Sequence, residues 1–199
     1  MYNENTPVLE TDRLVLRKFT DNDSDDMFLL YSDEEVNKFL PFFPFKTRAE
    51  VENYLYNNIL PFYEEDVAYS YAIAQKADNR VIGYVHINDI GGSNDMGYAL
   101  RKEFWHKGIT SEACAAVINR LQKVNFPFIT ATHDIHNLYS GEVMKKIGMS
   151  YRYSYKEQWQ PKNILVTFRM YQLNLDGVER TYTEYQKKYP HFVEQINNI

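Results

Sequence analysis

The stretch from Asp95 to Ile135 constrains the fold of this chain more than any other part. It begins with the strand pattern DMGYALRKEF, turns at Gly108 into an apolar helix pattern from about Thr110 to Lys123, and ends with the buried strand pattern FITATHDI. A strand, a helix and a second strand in this order predict a right-handed crossover between parallel strands. A ligand crevice is then expected at the carboxyl end of the first strand.

The rest of the chain surrounds this unit with further strands and helices. Strand patterns occur at RLVLRKF, AYSYAIAQ, RVIGYVHINDI, MSYRYSYKEQW and NILVTFRMYQLNL. The acidic segment DNDSDDMFLLYSDEE predicts a helix, the capping box of Thr47 and Glu50 begins a second that Pro61 ends, and NLYSGEVMKKIGM predicts a third that ends at Gly148. FLPFFPF, with two prolines, predicts an irregular aromatic loop. This order of elements predicts a mixed α/β fold with helices on both faces of one sheet.

The end of the chain carries a separate pattern. Apolar side chains recur in steps of three and four at Val178, Tyr182, Tyr185, Tyr189, Phe192 and Ile196. This spacing predicts an amphipathic helix, interrupted or restarted at Pro190. We therefore divide the chain into a domain over residues 1–177 and a helical extension over 178–199. The stripe packs either on its own domain or in a dimer contact, so the chain is expected to be a monomer or a homodimer.

Composition excludes several classes of protein. The 199 residues are 44% hydrophobic, which is enough for one domain with its own core. A net charge of −5 provides no basic surface for nucleic acid. The chain shows neither a signal peptide nor a membrane-length apolar run, which predicts a cytoplasmic protein without membrane contact. The single Cys114 excludes an intrachain disulfide, and the scattered histidines predict no metal site.

The residues around Gly108 predict an anion site. A helix that follows a glycine turn presents N–H groups without partners at the positive end of its dipole. Gly108 permits positive φ, and the hydroxyls of Thr110 and Ser111 either contact an anion or cap the helix. Neither G-x-x-x-x-G-K-[ST] nor G-x-G-x-x-G occurs, which argues against a nucleoside triphosphatase loop and a dinucleotide-binding fold.

Four segments together resemble the GNAT superfamily of N-acetyltransferases, in particular its ribosomal-protein-alanine (RimJ/RimL-type) branch. They are LETDRLVLR, VIGYVHIND, MGYALRKEFWHKGITSEA and HNLYSGEVMKKIGM, and the resemblance covers roughly residues 8–175. It implies the GNAT fold, a central, mostly antiparallel twisted sheet whose two central parallel strands splay apart in a V. It also implies acetyl-CoA as cosubstrate and an amine-bearing substrate as acceptor.

The family binds the pyrophosphate of acetyl-CoA in a loop of pattern Q/R-x-x-G-x-G/A. The matching positions here are Trp105, His106, Lys107, Gly108, Ile109 and Thr110, with Ser111 directly after them. Trp105 stands at the Q/R position, His106 where glycine is usual, and Thr110 at the last small residue. These departures remove no backbone N–H, so the resemblance implies pyrophosphate binding provided that His106 adopts the required φ and ψ.

The resemblance also assigns residues outside this loop. The pantetheine arm is expected to pair like an added strand with the backbone near Ala99 and Leu100. Asn137 is expected to contact the pantetheine or order the splayed strands, or to cap the next helix. Many members protonate the leaving thiolate with a tyrosine, but Met144 stands at that position here. Ser140, whose equivalent has this role in the branch, is expected to hydrogen-bond the thiolate, unless it only caps the helix.

Tyr139, the neighbour of Ser140, is a possible substitute for it. The reaction also needs an acceptor for the proton of the attacking amine. Asp95, at a position where the branch often has an acid, and His86 are the candidate bases, Asp89 is a third, and a water molecule could replace them all. An α-amino group with a pKa of about 7.7–8.0 needs less help than a lysine with a pKa of about 10.4.

The resemblance places the acceptor against the first two helices and the loop between them. The acidic residues there either contact the acceptor or complement helix N-termini: Asp21, Asp23, Asp25, Asp26, Asp33, Glu34 and Glu35. The aromatic loop of residues 39–45 either fills the core or lines an acceptor pocket. The predicted activity is acetyl transfer to a protein N-terminus or a small amine. The alternatives are an antibiotic- or polyamine-modifying acetyltransferase of the same fold and a non-catalytic acyl-CoA-binding module.

Overall fold

The computed structural model describes residues 4–65, 67–89 and 91–195. Within these residues the chain forms a nine-stranded sheet of order β1-β2-β3-β4-β5-β6-β8-β7-β9. The strands are β1 (Leu9–Glu10), β2 (Leu14–Arg17), β3 (Tyr69–Gln75), β4 (Val81–Asn88), β5 (Asp95–Leu100), β6 (Phe128–Asp134), β7 (Ser150–Trp159), β8 (Ile164–Asn174) and β9 (His191–Phe192). The pair β5–β6 is parallel and the other described pairs are antiparallel, which confirms the predicted mixed α/β fold.

Helices cover both faces of the sheet. They are α1 (Ser24–Tyr31), α2 (Glu34–Asn37), α3 (Arg48–Tyr54), α4 (Ile109–Lys123), α5 (Leu138–Lys146) and α6 (Glu184–Lys188). Three short 3-10 turns (Asp21–Asp23, Leu60–Glu64 and Lys102–Phe104) and one π-helical turn (Leu55–Ile59) complete the described helical structure. No helix among the described residues is both long and apolar enough to cross a membrane.

The core is divided between the two faces. On one face, the fully buried stripe of α4 that includes Ala113, Val117 and Leu121 packs against Leu14 and the neighbouring strands. On the other face, α1 and α3 pack against Ala72 and Ala74 of β3 and Tyr84 of β4. Small alanine side chains let these helices approach the sheet closely, while the helical period of α4 produces its apolar stripe.

Two element boundaries differ from the prediction. The helix that begins at the capping box of Thr47 and Glu50 ends at Tyr54 rather than at Pro61, because the chain continues in a π turn and then a 3-10 turn. Pro61 lies at the start of that 3-10 turn, where its missing N–H costs no hydrogen bond. The strand pattern DMGYALRKEF ends at Leu100, and residues 102–104 form a 3-10 turn.

The end of α5 follows its prediction closely. Gly148 has φ +87°, and its N–H bonds to the Lys145 carbonyl while the Met149 N–H bonds to that of Met144. These two bonds form a Schellman motif, which satisfies carbonyl groups at the helix end.

The predicted long helix at the C-terminal end is wrong for most of the described tail. Only the five residues of α6 are helical, and β9 then pairs with β7. The helix stops before Pro190 because a residue that precedes proline disfavours helical geometry, and Tyr189 is extended at φ −128°. Tyr182, Tyr185 and Tyr189 pack against a cluster around Tyr155, whereas Ile196 lies outside the described residues.

Candidate active site

The loop between β5 and α4 contains two residues with positive φ. Gly108 is the N-cap residue of α4 and has φ +73°, in the left-handed region that glycine adopts readily. His106 also has positive φ, at +59°. A non-glycine residue therefore holds this conformation at the position where the family usually has glycine.

Six consecutive N–H groups of this loop have no acceptor among the described residues. They belong to residues 106–111. The N–H groups on either side are bonded, that of Trp105 to the Lys102 carbonyl and that of Glu112 to the Gly108 carbonyl. Three of them lie in the first turn of α4, at the positive end of its dipole. Backbone N–H groups are strong donors that normally find partners, so these six groups are available to an anion.

Two cations approach the same loop. A Cβ atom placed on Gly108 would lie 3.7 Å from Lys146 Nζ and 4.0 Å from Arg13 Nη2. Arg13 also donates to the Lys107 carbonyl at 3.1 Å and from Nε to Glu112 at 2.8 Å, which ties the start of the sheet to the start of α4. Sequence reasoning missed both cations as site residues. Arg13 lay within the segment LETDRLVLR, but no local pattern indicated that Lys146 would reach this loop.

The remaining side chains of the loop are not used to cap the helix. No side chain forms a cap hydrogen bond at the start of α4, and the hydroxyls of Thr110 and Ser111 bond to no described residue. Ile109 and Ser111 are buried, while Trp105 Nε1 donates to the Leu100 carbonyl at 2.7 Å. The tryptophan at the Q/R position therefore anchors the loop to the end of β5.

Strands β5 and β6 part almost as soon as they meet. Their register consists of the single pair Asp95 and Thr130 among the described residues. Thr130 donates its N–H to the Asn94 carbonyl at 3.2 Å, and its hydroxyl lies 3.1 Å from the Asp95 carboxylate. The predicted V-shaped gap therefore opens immediately after these contacts.

The ladder between β4 and β5 determines which backbone groups face the gap. Arg101 N–H donates to the Ile82 carbonyl, and opposed residues in an antiparallel ladder alternate between bonded and non-bonded pairs. In this phase the N–H and C=O groups of Ala99 point to β4. Those of Tyr98 and Leu100 point into the gap, so Leu100 but not Ala99 has the orientation expected for pairing with an added strand.

Ser140 lies at the start of α5 and contacts β5 across the gap. Asn137 caps α5, with its Oδ1 atom accepting from the Ser140 N–H at 3.4 Å. Tyr98 Oη is 2.9 Å from both the carbonyl and the hydroxyl oxygen of Ser140. The single phenolic hydrogen is donated to the carbonyl, so the Ser140 hydroxyl donates its own hydrogen to Tyr98. Sequence reasoning missed Tyr98, because only the fold brings residues 98 and 140 together.

The two alternatives to Ser140 lie elsewhere. Met144 is fully buried in the core, and Tyr139 is 68% exposed. The Tyr139 ring meets the His106 ring edge to face, with 4.5 Å between the centroids. Tyr139 therefore flanks the loop of residues 105–111 rather than the gap where Ser140 contacts Tyr98.

The candidate bases differ in how well they suit proton transfer. His86 stacks on Tyr84 at 5.1 Å, and burial lowers the pKa of its imidazole to about 4. Burial raises the pKa of the Asp95 carboxyl to about 6, against the opposing effect of its hydrogen bond with Thr130. A base works best when its pKa lies near the working pH, so Asp95 suits proton acceptance better than His86. Asp89 is exposed at the end of β4.

A cavity of about 230 Å³ lies between strands β3 and β4 and the first helices. It is lined by Phe19, Tyr31, Tyr54, Asn58, Ile59, Phe62, Ala68, Tyr69, Ser70, Tyr84, His86, Ile87 and Asn88. Phe42 and Phe45 of the aromatic loop pack on Tyr31 and Tyr54 with centroid distances of 5.3–5.7 Å, so the loop supports the cavity wall without lining it.

The acidic residues of this region have structural partners instead of lining the cavity. Asp26 bonds to Arg80, and Asp33 caps α2 through its carboxylate. The others lie as follows: Asp21 against Tyr56, Asp23 with Arg17, Asp25 with Arg48, Glu34 with Lys46 and Glu35 with Lys102. Across the described part of the chain, no three His, Cys, Asp or Glu side chains form a group that could hold a metal ion.

A splayed parallel pair of strands, followed by an amide-rich loop at the start of the next helix, is the arrangement that the resemblance to the GNAT acetyltransferases implies. Residues 13–150 match the model of the acetyltransferase (GNAT) domain, and the chain belongs to this family, which confirms the predicted resemblance. The uncharacterised N-acetyltransferase YoaA of Bacillus subtilis (strain 168) is 25% identical over 118 residues. The matched stretch spans 57% of this chain and 65% of that relative.

Solved structures share the fold over most of the chain. An acetyltransferase of the GNAT family from Bacillus anthracis superposes with a TM-score of 0.74 at 22% identity, over 85% of this chain and 99% of that one. The ribosomal L7/L12 α-N-protein acetyltransferase RimL, solved with coenzyme A, has a TM-score of 0.73 at 18% identity, over 86% of this chain and 100% of that one. At these identities the likeness shows the shared fold, which is the GNAT fold that the resemblance implies.

Proposed function

We propose that this chain transfers the acetyl group of acetyl-CoA to a primary amine, either a protein N-terminal α-amino group or a small amine. The observation that carries the proposal is the run of six unpartnered N–H groups at residues 106–111. These groups suit a pyrophosphate, and the nearby Arg13 and Lys146 add positive charge. The structure of RimL with coenzyme A supports the same ligand class in a protein of this fold.

The gap between β5 and β6 suits the pantetheine arm of this cosubstrate. Tyr98 and Leu100 direct backbone N–H and C=O groups into the gap, where the amides of an extended arm would pair with them as an added strand does. The Leu100 carbonyl already accepts from Trp105 and keeps a second lone pair for this purpose. The arm would end beside Ser140, at the deep end of the gap.

In this arrangement Asp95 acts on the attacking amine and Ser140 on the leaving thiolate. The amine attacks the thioester carbonyl, and Asp95 accepts the proton that the amine loses, directly or through water. The C–S bond then breaks, and the Ser140 hydroxyl turns from Tyr98 to hydrogen-bond the leaving thiolate. A thiol with a pKa of about 8.5 needs little more assistance than this bond.

The experiment that tests the proposal combines binding with turnover. Calorimetric titration with acetyl-CoA is followed by a thiol-release assay with N-terminal peptides, small aromatic amines, polyamines and aminoglycosides. We expect binding, and thiol release that depends on an added amine. Absence of acetyl-CoA binding would refute the proposal, and binding without turnover of any amine would favour the acyl-CoA-binding module.

A further inference from the structure

We name the cavity between β3, β4 and the first helices the acceptor cavity. Its described lining lacks the carboxylates that a site for cationic substrates would need. Among the described residues that line it, none is Asp, Glu, Lys or Arg. Burial lowers the pKa of His86, so this ring is neutral at physiological pH. A polyamine or aminoglycoside would bring further ammonium groups into these surroundings without a carboxylate partner, which is strongly unfavourable.

The walls of the cavity suit an aromatic ring. The Tyr31 ring contacts the rings of Tyr54 and Tyr84 at centroid distances of 5.6 Å and 5.9 Å, and Phe19 and Phe62 add to the apolar lining. Aromatic pairs favour such separations in edge-to-face and tilted arrangements. Since an apolar cavity of about 150 Å³ holds benzene, the 230 Å³ present here accommodates a ring with a short side chain.

Three tyrosine hydroxyls in this wall are available to a ligand. Those of Tyr31, Tyr54 and Tyr84 form no hydrogen bond with any described residue, and their oxygens are not among the fully enclosed unpaired atoms. Burial raises the pKa of all three phenols, so each remains a neutral donor and acceptor. Such groups suit a phenol, an indole N–H or a peptide amide.

The acceptor cavity also reaches the strand along which the thioester is expected to lie. The His86 ring covers Gly97 of β5, where a Cβ atom would come within 2.2 Å of His86 Nε2. A ring held against the wall that Tyr31, Tyr54 and Tyr84 form would therefore need only a short chain to bring its amine from β4 to β5. Apolar surroundings also favour the neutral form of that amine, which is the form that attacks.

We propose that the acceptor is an arylethylamine, a primary amine that two carbons separate from an aromatic ring. This inference rests on the proposed function and names its substrate class. The same unit occurs in free arylethylamines and in the N-terminal residue of a peptide that begins with Phe, Tyr or Trp.

The first test compares acceptors with the intact chain. Steady-state kinetics at saturating acetyl-CoA would use phenethylamine, tyramine, a Phe-Ala-Ala peptide amide, a matched Ala-Ala-Ala peptide amide, spermidine and kanamycin. We expect kcat/KM for the aryl compounds to exceed that for spermidine and kanamycin by at least tenfold. The comparison of Phe-Ala-Ala with phenethylamine distinguishes a peptide acceptor from a free amine. If the natural acceptor is a peptide, kcat/KM should be higher for Phe-Ala-Ala than for phenethylamine, and if it is a free amine, kcat/KM should be lower.

Two variants test whether the preference for aryl amines arises in the acceptor cavity. Tyr54→Leu should raise KM for the preferred aryl amine by tenfold or more with unchanged acetyl-CoA affinity, whereas Tyr56→Leu, on the exposed side of the same segment, should not. Asn58→Asp adds a carboxylate at an exposed lining position and should improve kcat/KM for spermidine relative to phenethylamine.

The outcomes separate this inference from the proposed function. Turnover of spermidine or kanamycin at least as fast as the aryl amines would overturn the inference and leave the acetyltransferase proposal intact. An aryl preference that neither Tyr54→Leu nor Asn58→Asp changes would also overturn it. Failure to bind acetyl-CoA would overturn the proposed function itself, and binding without turnover of any amine would overturn both.

Discussion

At the scale of single residues, the proposed anion loop of residues 105–111 depends on backbone conformation more than on side-chain identity. Gly108 has φ +73°, and a Cβ atom added there would meet its neighbours at 3.7 Å or more, which is ordinary contact. A substitution is therefore strained by its backbone rather than by a clash, at a cost of roughly 1–2 kcal/mol. His106 shows that a neighbouring position tolerates such strain.

A matched pair of glycine variants separates this strain from ligand binding. Gly108→Ala should lower acetyl-CoA affinity by tenfold or more, because the methyl group occupies the approach of the pyrophosphate and strain shifts the N–H groups. Gly177→Ala is the control, since Gly177 has φ +77° with no atom within 4 Å of a Cβ. Both variants should lose similar stability in thermal melts. Equal acetyl-CoA affinity in the two, measured by calorimetry, would contradict the loop assignment.

Ser140 and Tyr98 form the hydrogen-bonded pair that our proposal places at the leaving group. Ser140→Ala should reduce kcat by about tenfold or more with little change in acetyl-CoA affinity, since the lost bond forms only as the thiolate develops. Tyr98→Phe should reduce kcat less, and the double variant should resemble Ser140→Ala, because the two hydroxyls act together.

Tyr139→Phe is the control for this pair, because it keeps the ring contact with His106. Full activity of Ser140→Ala beside a strong loss in Tyr139→Phe would show that the tyrosine is the acid.

At the scale of elements, the proposed function places the chemistry where β5 and β6 part. The strands share one registered pair, Asp95 and Thr130, and the gap begins at a carboxyl group whose pKa burial raises to about 6. Ionisation of Asp95 therefore opposes folding. The folded pKa lies above the unfolded one, so the destabilisation is absent below about pH 4 and complete above about pH 6.

Asp95→Asn should consequently affect stability and activity in opposite directions. At pH 7.5 its Tm should exceed that of the wild type, and the difference should vanish near pH 4. Its kcat should fall by about 10²–10⁴, and the rise of kcat/KM through about pH 6 should disappear. His86→Gln should retain that rise. Rates at the wild-type level in both variants would indicate that water is the base.

At the scale of the whole molecule, the C-terminal tail extends the sheet. Tyr155 stacks against Tyr185 at 5.0 Å and against Tyr189 at 5.3 Å, and Glu194 forms an ion pair with Arg169 at 2.6 Å. These contacts cover β7 and β8, the part of the sheet that lies beyond residues 13–150 of the family match.

Deletion of residues 178–199 should therefore expose Tyr153 and Tyr155, which are 0% and 3% exposed in the intact chain. We expect Tm to fall by about 5 °C or more and the shortened protein to self-associate, since buried aromatic surface becomes accessible. Val178→Ala, at a position that is 54% exposed, is the control and should leave Tm unchanged. An unchanged Tm and elution volume after deletion would show that the tail contributes nothing to the packed structure.

Local patterns alone were sufficient for much of the architecture. The capping box of Thr47 and Glu50, the helix end at Gly148 and the strand–turn–helix around Gly108 each depend on neighbours within a few residues, and each occurs as predicted. The order of these elements, together with the quoted segments, was enough to indicate the GNAT family. The end of α3 was mispredicted because the chain continues in a π turn despite the helical spacing of its apolar residues. The tail was mispredicted because β9 pairs with β7 despite a similar spacing.

The sequence by itself determined the family, the type of most elements and the position of the glycine turn before α4, because these depend on short-range patterning and backbone conformation. Tertiary structure alone decided which groups meet. It placed Lys146 beside Gly108, Tyr98 against Ser140, and the aromatic side chains of five separate segments around one cavity. It also raised the pKa of Asp95 and lowered that of His86, because burial depends on what packs around a residue rather than on its neighbours in the chain.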